Sequence, residues 1–430
     1  MIKRPGASAR RAILSGVALS VLMSVGGAAW AQDASGELVI LQWLGGSEGE
    51  MWTRLGEDFA ERNPQVSVRE VGLTVQGDAR GPMRTALLGG ERVDLIINTW
   101  PAFRAELADA GIITPIDDIW AEQGWDEDLG ESWKALSQTD GVTYGVTYTY
   151  GDRSGIWYKT SHLDEAGIEP PQTWEEFLSA IETLKAEGYA TPVAMPAKYW
   201  AHGEWFENLL LRVGGVEAAS KLASREILWT DDVVKETLGK FAEMLNAGCC
   251  GTPEQMFAGD WDYSADQIFT ADSANFLLIG MWMNGRAINE YGLEEGVDYS
   301  LFQFPALGMG HDDTASVDAK EVVLTANSAN PEAAVAFMDY LLSPEATEIL
   351  AQYGYASPSN NADTSLLGPV QQVATAAVAN SRVQFVLGDL LPGDLVDEYR
   401  VQLQRFLQDP SEETIDSVTA AIEAKAMEVY

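Results

Sequence analysis

The side chains of this chain that could do chemistry are aromatic rings and carboxylates, with few nucleophiles or metal ligands among them. Trp43 follows the first short apolar run, Trp100 follows the run ending at Ile97, and Tyr148 and Tyr150 sit in a Thr- and Tyr-rich extended stretch. Trp157, Tyr158, Trp200, Trp205, Trp261, Trp282 and Tyr355 punctuate the chain beyond it. Flat rings can cover the apolar C–H faces of a sugar while Asp, Glu, Asn, Arg and Lys bond to its hydroxyls. Any single ring serves equally well as core packing, so the signal lies in the set, which flanks Gly-rich turns. Catalysis has less to work with. There is no GxSxG elbow, HExxH pair, GxxxxGK loop or DxDxDG loop. His162, His202 and His311 are isolated, so each reads as a structural or surface histidine. With 65 Asp and Glu residues, carboxylate pairs of the kind that hydrolyse glycosides are too numerous to be informative. No catalytic residue, metal site or cofactor is expected.

The elements that must position these rings begin with strand, loop and helix. Leu38 to Leu41 is an apolar run, Gly45-Gly46-Ser47 a flexible turn, and Glu50 to Arg62 an amphipathic helix with Trp52, Leu55 and Phe59 on one face. Alternation over Val66–Val71, a helix near Pro82–Leu88 and the apolar run Val93–Ile97 complete a βαβαβ pattern, that of an open α/β sheet. In such a sheet the carboxyl ends of the strands face the ligand crevice, which puts Trp43, Asn98 and Trp100 beside a solute. A Gly-punctuated crossover from Val142 to Tyr158 leads into an α-rich region. Its first helix starts at a capping box, Thr173-Trp174-Glu175-Glu176, and stops at Gly188. Further helices are expected near 205–212, 232–247, 264–271 and 285–290. Tyr299–Pro305 reads as a strand leaving that region and Lys320–Thr325 as one returning, followed by a helix over 332–342 and a helical tail. Without a repeat or a Gly/Ser/Pro-rich linker, two lobes sharing interleaved segments are expected.

Composition narrows the setting. The 430 residues carry 65 acidic against 27 basic side chains, a formal charge of -38, with 46% hydrophobic residues. The acidity comes from a shortage of bases in a chain able to form cores, and it argues against nucleic acid or an anionic membrane as partner. Lys3, Arg4, Arg10 and Arg11 precede an apolar run from Ala12 to about Ala28 that ends in Ala29-Trp30-Ala31. This is the pattern of a secretory signal cut after Ala31, which predicts a soluble protein of the periplasm. Cys249 and Cys250 are adjacent, so they serve locally, as buried thiols or as a small bridged turn.

Several segments carry a family resemblance. They are Leu41-Gln42-Trp43-Leu44-Gly45-Gly46-Ser47-Glu48, Val93-Asp94-Leu95, Trp157-Tyr158-Lys159 followed by Ala166 to Phe177, Phe269 with Gly280-Met281-Trp282, and Asn330-Pro331-Glu332-Ala333-Ala334 through Leu342 to Ala346. Their order resembles the family 1 extracellular solute-binding proteins of ABC import systems, especially the glucose-like sugar binders. The resemblance implies an α/β, two-lobed periplasmic-binding-protein fold of type II, with interleaved lobes joined by hinge strands. The first lobe would comprise residues 37–147 and 310–347, the second 148–309 and 348–430. It further implies a monomer that closes its cleft on a small carbohydrate and presents it to ABC permease membrane subunits. On that reading Trp43 and Trp282 are stacking platforms, and Trp100, Tyr150, Trp200 and Trp205 are further walls. Glu48, Asp78, Asn98, Arg153, Asp318 and Lys320 are polar contacts, although Asp318 and Lys320 read equally as a solvated ion pair at a strand start. The alternatives are a secreted carbohydrate-active enzyme and a binder of another small polar solute such as a polyamine.

Overall fold

Successive side chains of a strand point to opposite faces of its sheet, so a strand apolar at every position must be covered on both sides. The first strand, Leu38-Val39-Ile40-Leu41 at its centre, meets that condition in the computed structural model, which describes residues 34–75 and 77–430. The expected export signal, residues 1–31, lies outside the described residues. The strands are β1 (Gly36–Gln42), β2 (Val66–Gly72), β3 (Leu95–Asn98), β4 (Gln138–Thr139), β5 (Val142–Thr143), β6 (Gly145–Asp152), β7 (Gly155–Lys159), β8 (Phe276–Leu278), β9 (Tyr299–Gln303), β10 (Thr314–Leu324) and β11 (Arg382–Phe385).

The larger sheet runs β11-β10-β3-β1-β2, with β6 also paired to β10. β1 is parallel to β2 and β3, whereas β10 is antiparallel to β3 and β6. Leu38, Ile40, Leu95, Ile97, Val322 and Leu324 face one core, filled by Met51, Trp52, Leu55 and Phe59 of the helix Gly46–Arg62 and by Phe337 of the helix Pro331–Tyr340. Val39, Leu41, Ile96 and Val323 face the other, against Met83, Phe103 and Leu107. The second lobe packs the antiparallel sheet β8-β7-β9 among helices that include Trp174–Ala186, Gly203–Ala223, Asp232–Asn246, Gly393–Gln408 and Glu412–Val429. The Thr173 capping box forms as expected. The Thr173 hydroxyl accepts from the Glu176 N–H at 3.2 Å, and the Glu176 carboxylate accepts from the Thr173 N–H at 3.0 Å.

The strands β6 and β10 run from one lobe into the other. β10 pairs with β3 through Glu321–Leu324 and with β11 through Thr314–Val317, and β6 follows it along most of its length. The architecture is two interleaved α/β lobes joined by hinge strands. Two details depart from the sequence reading. β11 is a strand in a tail expected to be helical, because its backbone completes the free edge of β10. The lobe border expected between 347 and 348 falls inside the helix Pro344–Gln352, whose Ile349 and Leu350 belong to the first-lobe core. Cys249 and Cys250 form a disulfide, buried against the second-lobe core.

One carboxylate ties the first lobe together. Asp94, fully buried ahead of β3, accepts from the Val39 N–H of β1 at 2.9 Å. It also accepts from the Ser328 hydroxyl and the Ala329 and Asn330 N–H groups, at 2.7, 2.8 and 3.1 Å, just before the helix Pro331–Tyr340. Asp94→Ala leaves these donors unpaired in the interior and is expected to cost about 3 kcal/mol. Urea unfolding monitored by circular dichroism measures it, and a loss below about 0.5 kcal/mol would contradict this role.

Candidate ligand-binding cleft

Between the lobes lies a cavity of about 410 Å³. The first lobe contributes the turns at the carboxyl ends of its central strands. Trp43 follows β1 and Trp100 follows β3, with their rings 4.6 Å apart and tilted by 34°. Gly46, at φ 54°, opens the helix that carries Glu48 to the cavity floor. The second lobe offers a facing wall. Trp200 and Trp261 lie 5.9 and 6.0 Å from Trp282, the last two edge to face. Two aromatic walls with polar groups between them suit a flat, hydroxylated solute.

The charges are ordered by the hinge. Asp318 and Lys320 are two residues apart on β10, so both face the cavity. Lys320 Nζ lies 2.9 Å from Glu48 and 3.7 Å from Asp318. Arg153, in the turn after β6, pairs with Glu204, stands 3.7 Å from Asp318 and places its guanidinium 4.5 Å from the Trp282 ring centre. At the rim, Asp78 of the first lobe holds Arg80 at 2.6 Å and Arg400 of the second lobe at 2.9 Å. Burial opposes the charged form of Asp78, but hydrogen bonds and charge from these two arginines hold its carboxyl well below the usual range. Burial likewise works against the Lys320 ammonium, and Glu48 and Asp318 outweigh it, raising the lysine. Burial wins for several carboxyls: it pushes Glu204 up to about 7 despite Arg153, Asp389 up to about 7, Glu207 up to about 8 and Asp152 up to about 6, and it raises Asp262 despite Arg286.

Nine of the twelve residues expected from sequence line this cavity: Trp43, Glu48, Asp78, Trp100, Arg153, Trp200, Trp282, Asp318 and Lys320. Asp318 and Lys320 are 4% and 8% exposed, so they are not a solvated pair. Three residues fall elsewhere. Asn98 ends β3 as expected, but its amide turns beneath the cleft to donate to Glu321 at 2.8 Å and to the Trp100 carbonyl at 3.1 Å. Tyr150 packs on Trp133, ring centres 4.7 Å apart, and does not line the cavity. Trp205 is core, between Phe177 at 5.8 Å and Phe304 at 5.7 Å. Sequence reasoning missed Tyr199, Asp260, Asp262, Arg286, Asp389 and Arg400, which also line it. Trp261 and Tyr355 were visible only as members of the aromatic set. Asp389 and Arg400 come from the tail, where no motif marks them.

Known proteins share this architecture. The model of the family described as bacterial extracellular solute-binding protein matches residues 45–348, and the chain belongs to that family, the family 1 solute-binding proteins of ABC import systems. It is 25% identical to the ABC transporter extracellular-binding protein PH1214 of Pyrococcus horikoshii, over 80% of this chain and 76% of that one. It is 24% identical to the alpha-glucosides-binding periplasmic protein AglE of Rhizobium meliloti, over 71% of this chain and 70% of that one. The structure of the bacterial solute receptor AcbH superposes with a TM-score of 0.81 at 20% identity, covering 92% of this chain and 99% of that one. The fold is thus the two-lobed periplasmic-binding-protein fold, and fold and family are those of solute-binding proteins, not of enzymes. Membership implies a membrane permease as partner and a small polar solute as ligand.

The raised carboxyls make stability depend on pH. In the unfolded chain Glu204, Glu207 and Asp389 lose their protons near pH ~4. In the folded chain they hold them to about 7, 8 and 7, so unfolding releases protons across that window and stability falls as pH rises through it. The melting temperature is expected to decline from about pH 5 to about pH 8, and less steeply in Glu207→Gln. Differential scanning calorimetry gives the profile, and one that is flat or rises contradicts this account.

Proposed function

We propose that this chain is the periplasmic solute-capturing component of an ABC importer, exported by a cleaved N-terminal signal and acting as a monomer. Its interlobe cleft holds a mono- or small oligosaccharide, or a sugar-like polyol, and delivers it to the permease. The observation that carries this reading is the pair of tryptophan walls, Trp43 with Trp100 against Trp200, Trp261 and Trp282, around a lining of charged side chains. Rings supply apolar faces for C–H groups, and the charged side chains supply donors and acceptors for hydroxyls. AglE is named for binding alpha-glucosides, and AcbH is described as preferring β-D-galactopyranose, which agrees with a carbohydrate. Closure would exclude water, strengthen these hydrogen bonds and create a surface for the permease to recognise.

One observation favours a second reading. Among the described residues, seven lining carboxylates stand against four lining cations, a balance that suits a polyamine held among rings. A thermal-shift panel of galactose, maltose, xylose oligomers, chitin oligomers and spermidine separates the two. Stabilisation by a carbohydrate supports the first reading; stabilisation by spermidine alone replaces it with the second.

Indole emission should report a ligand that binds between these walls, and Trp282→Ala should weaken its binding by about tenfold or more, from the loss of one stacking face. Isothermal titration calorimetry measures the change. Unaltered affinity in both Trp43→Ala and Trp282→Ala would place the solute elsewhere.

A further inference from the structure

Asp389 differs from the other acids of the cleft. Glu48, Asp78, Asp262, Glu290 and Asp318 each have a cation within 4.0 Å. Asp260 caps the helix Trp261–Phe269, accepting from the Tyr263 N–H at 3.3 Å. Asp389 is 6% exposed and lines the cavity, yet among the described residues its carboxylate has neither a hydrogen bond nor an ion pair. Its backbone is well held. The Glu207 carboxylate accepts from the Leu387 and Gly388 N–H groups at 2.8 and 3.3 Å, which pins the short helix Leu387–Leu390 to the second lobe. The side chain is therefore positioned from behind and left open in front.

The charged groups facing it come from several elements. They are Arg80 at the start of the helix Arg80–Leu88, Arg153 after β6, Arg400 of the helix Gly393–Gln408, Asp318 of β10, and Glu204 and Glu207 of the helix Gly203–Ala223. Arg80 and Arg400 hold Asp78 and Arg153 holds Glu204, and none of the three bonds Asp389, although Arg80 Nη1 and Arg153 Nε have no hydrogen-bond partner among the described residues. An acceptor this little exposed gains from a donor, and a solute entering the cavity can supply one in place of water.

We propose that Asp389 accepts a hydrogen bond from the bound solute, from a hydroxyl of a polyol or an ammonium of an amine, and that this contact couples binding to loss of a proton. The inference rests on the reading of the cleft as a solute site. Burial, the largest influence, pushes the empty carboxyl to about 7, so near neutrality a large share of the molecules carry Asp389 protonated. A donor contact favours the carboxylate, the carboxyl proton passes to the buffer, and binding strengthens as pH rises through this range. Glu204 and Glu207 titrate nearby, but they are tied to Arg153 and to backbone N–H groups and do not line the cavity.

Titration calorimetry with maltose, D-galactose and spermidine tests the coupling, in buffers of unlike ionisation heat at about pH 6 and about pH 8. Expected is about tenfold tighter binding at the higher pH, a heat that varies with buffer, and loss of both in Asp389→Asn together with weaker binding. A response to maltose or galactose identifies the donor as a hydroxyl; a response to spermidine identifies an ammonium. The buffer dependence is read on the unaltered protein, so it stands even where Asp389→Asn does not fold. Binding without proton release, or pH dependence that survives in Asp389→Asn, overturns this inference and leaves the solute site intact. Binding of none of the three, nor of the xylose or chitin oligomers, at either pH overturns both.

Discussion

The antiparallel pairing of β6 with β10 is the constraint on which the rest of the molecule depends. These two strands cross between the lobes, so their register sets the lobes' relation and the groups presented to the cavity. The register shifts between Lys320 and Glu321. On one side of that irregularity Lys320 reaches Glu48 and Asp318 in the cleft. On the other, Glu321 turns into the first lobe, where Arg104 pairs with it at 2.7 Å and Asn98 donates to it. Neighbouring residues of a strand face opposite sides, and this alternation separates the two groups, while the extra residue at the irregularity, Tyr148, belongs to β6. The alternation keeps one carboxylate for structure and another for the cavity, although Glu321 and Asp318 lie close together on one strand.

Close backbone approach supports the same junction. A Cβ on Gly285, in the helix Trp282–Asn289, would lie 2.8 Å from the Tyr353 carbonyl oxygen. A Cβ on Gly354 would lie 3.0 Å from the Gly285 nitrogen. The second-lobe helix thus rests directly on the first-lobe chain, and Trp282 at its start packs against cores on both sides. Glu290 near its end accepts from the Ser47 N–H at 3.2 Å, meeting an otherwise unpaired donor of the helix Gly46–Arg62. The indole wall is therefore part of the joint as well as of the cavity.

The electrostatics of the cleft follow from burial. Taking many acids out of water would be prohibitive without partners, and most are paired, either within a lobe, as Asp78 is with Arg80, or between lobes, as Asp78 is with Arg400. Where burial outweighs the partners, as at Glu204, Glu207 and Asp389, the acid retains its proton near neutrality. The surplus of acids over bases is mostly a property of the surface; inside the cleft it leaves a small excess of acceptors.

Much of this was legible along the chain. The continuous apolar runs of β1 and β3, the capping box at Thr173 and the Asn330-Pro331 helix start are local signals, and they hold because neighbours in sequence produce them. From them came the α/β lobes, and from ring placement came Trp43, Trp100, Trp200 and Trp282. Trp205 escaped that logic because a tryptophan in the first turn of a helix can turn either way, and here Phe177 and Phe304 hold it in the core. Asn98 sits at the expected strand end, yet Glu321, far along the chain, claims its amide. Asp389 and Arg400 are joined to the cleft by a tail that folds back across the second lobe, and β11 became a strand because β10 left it an edge. Class, lobes and most of the ring walls needed only local pattern. The charge arrangement of the cavity needed the fold, because hydrogen bonds and burial depend on which distant segments arrive side by side.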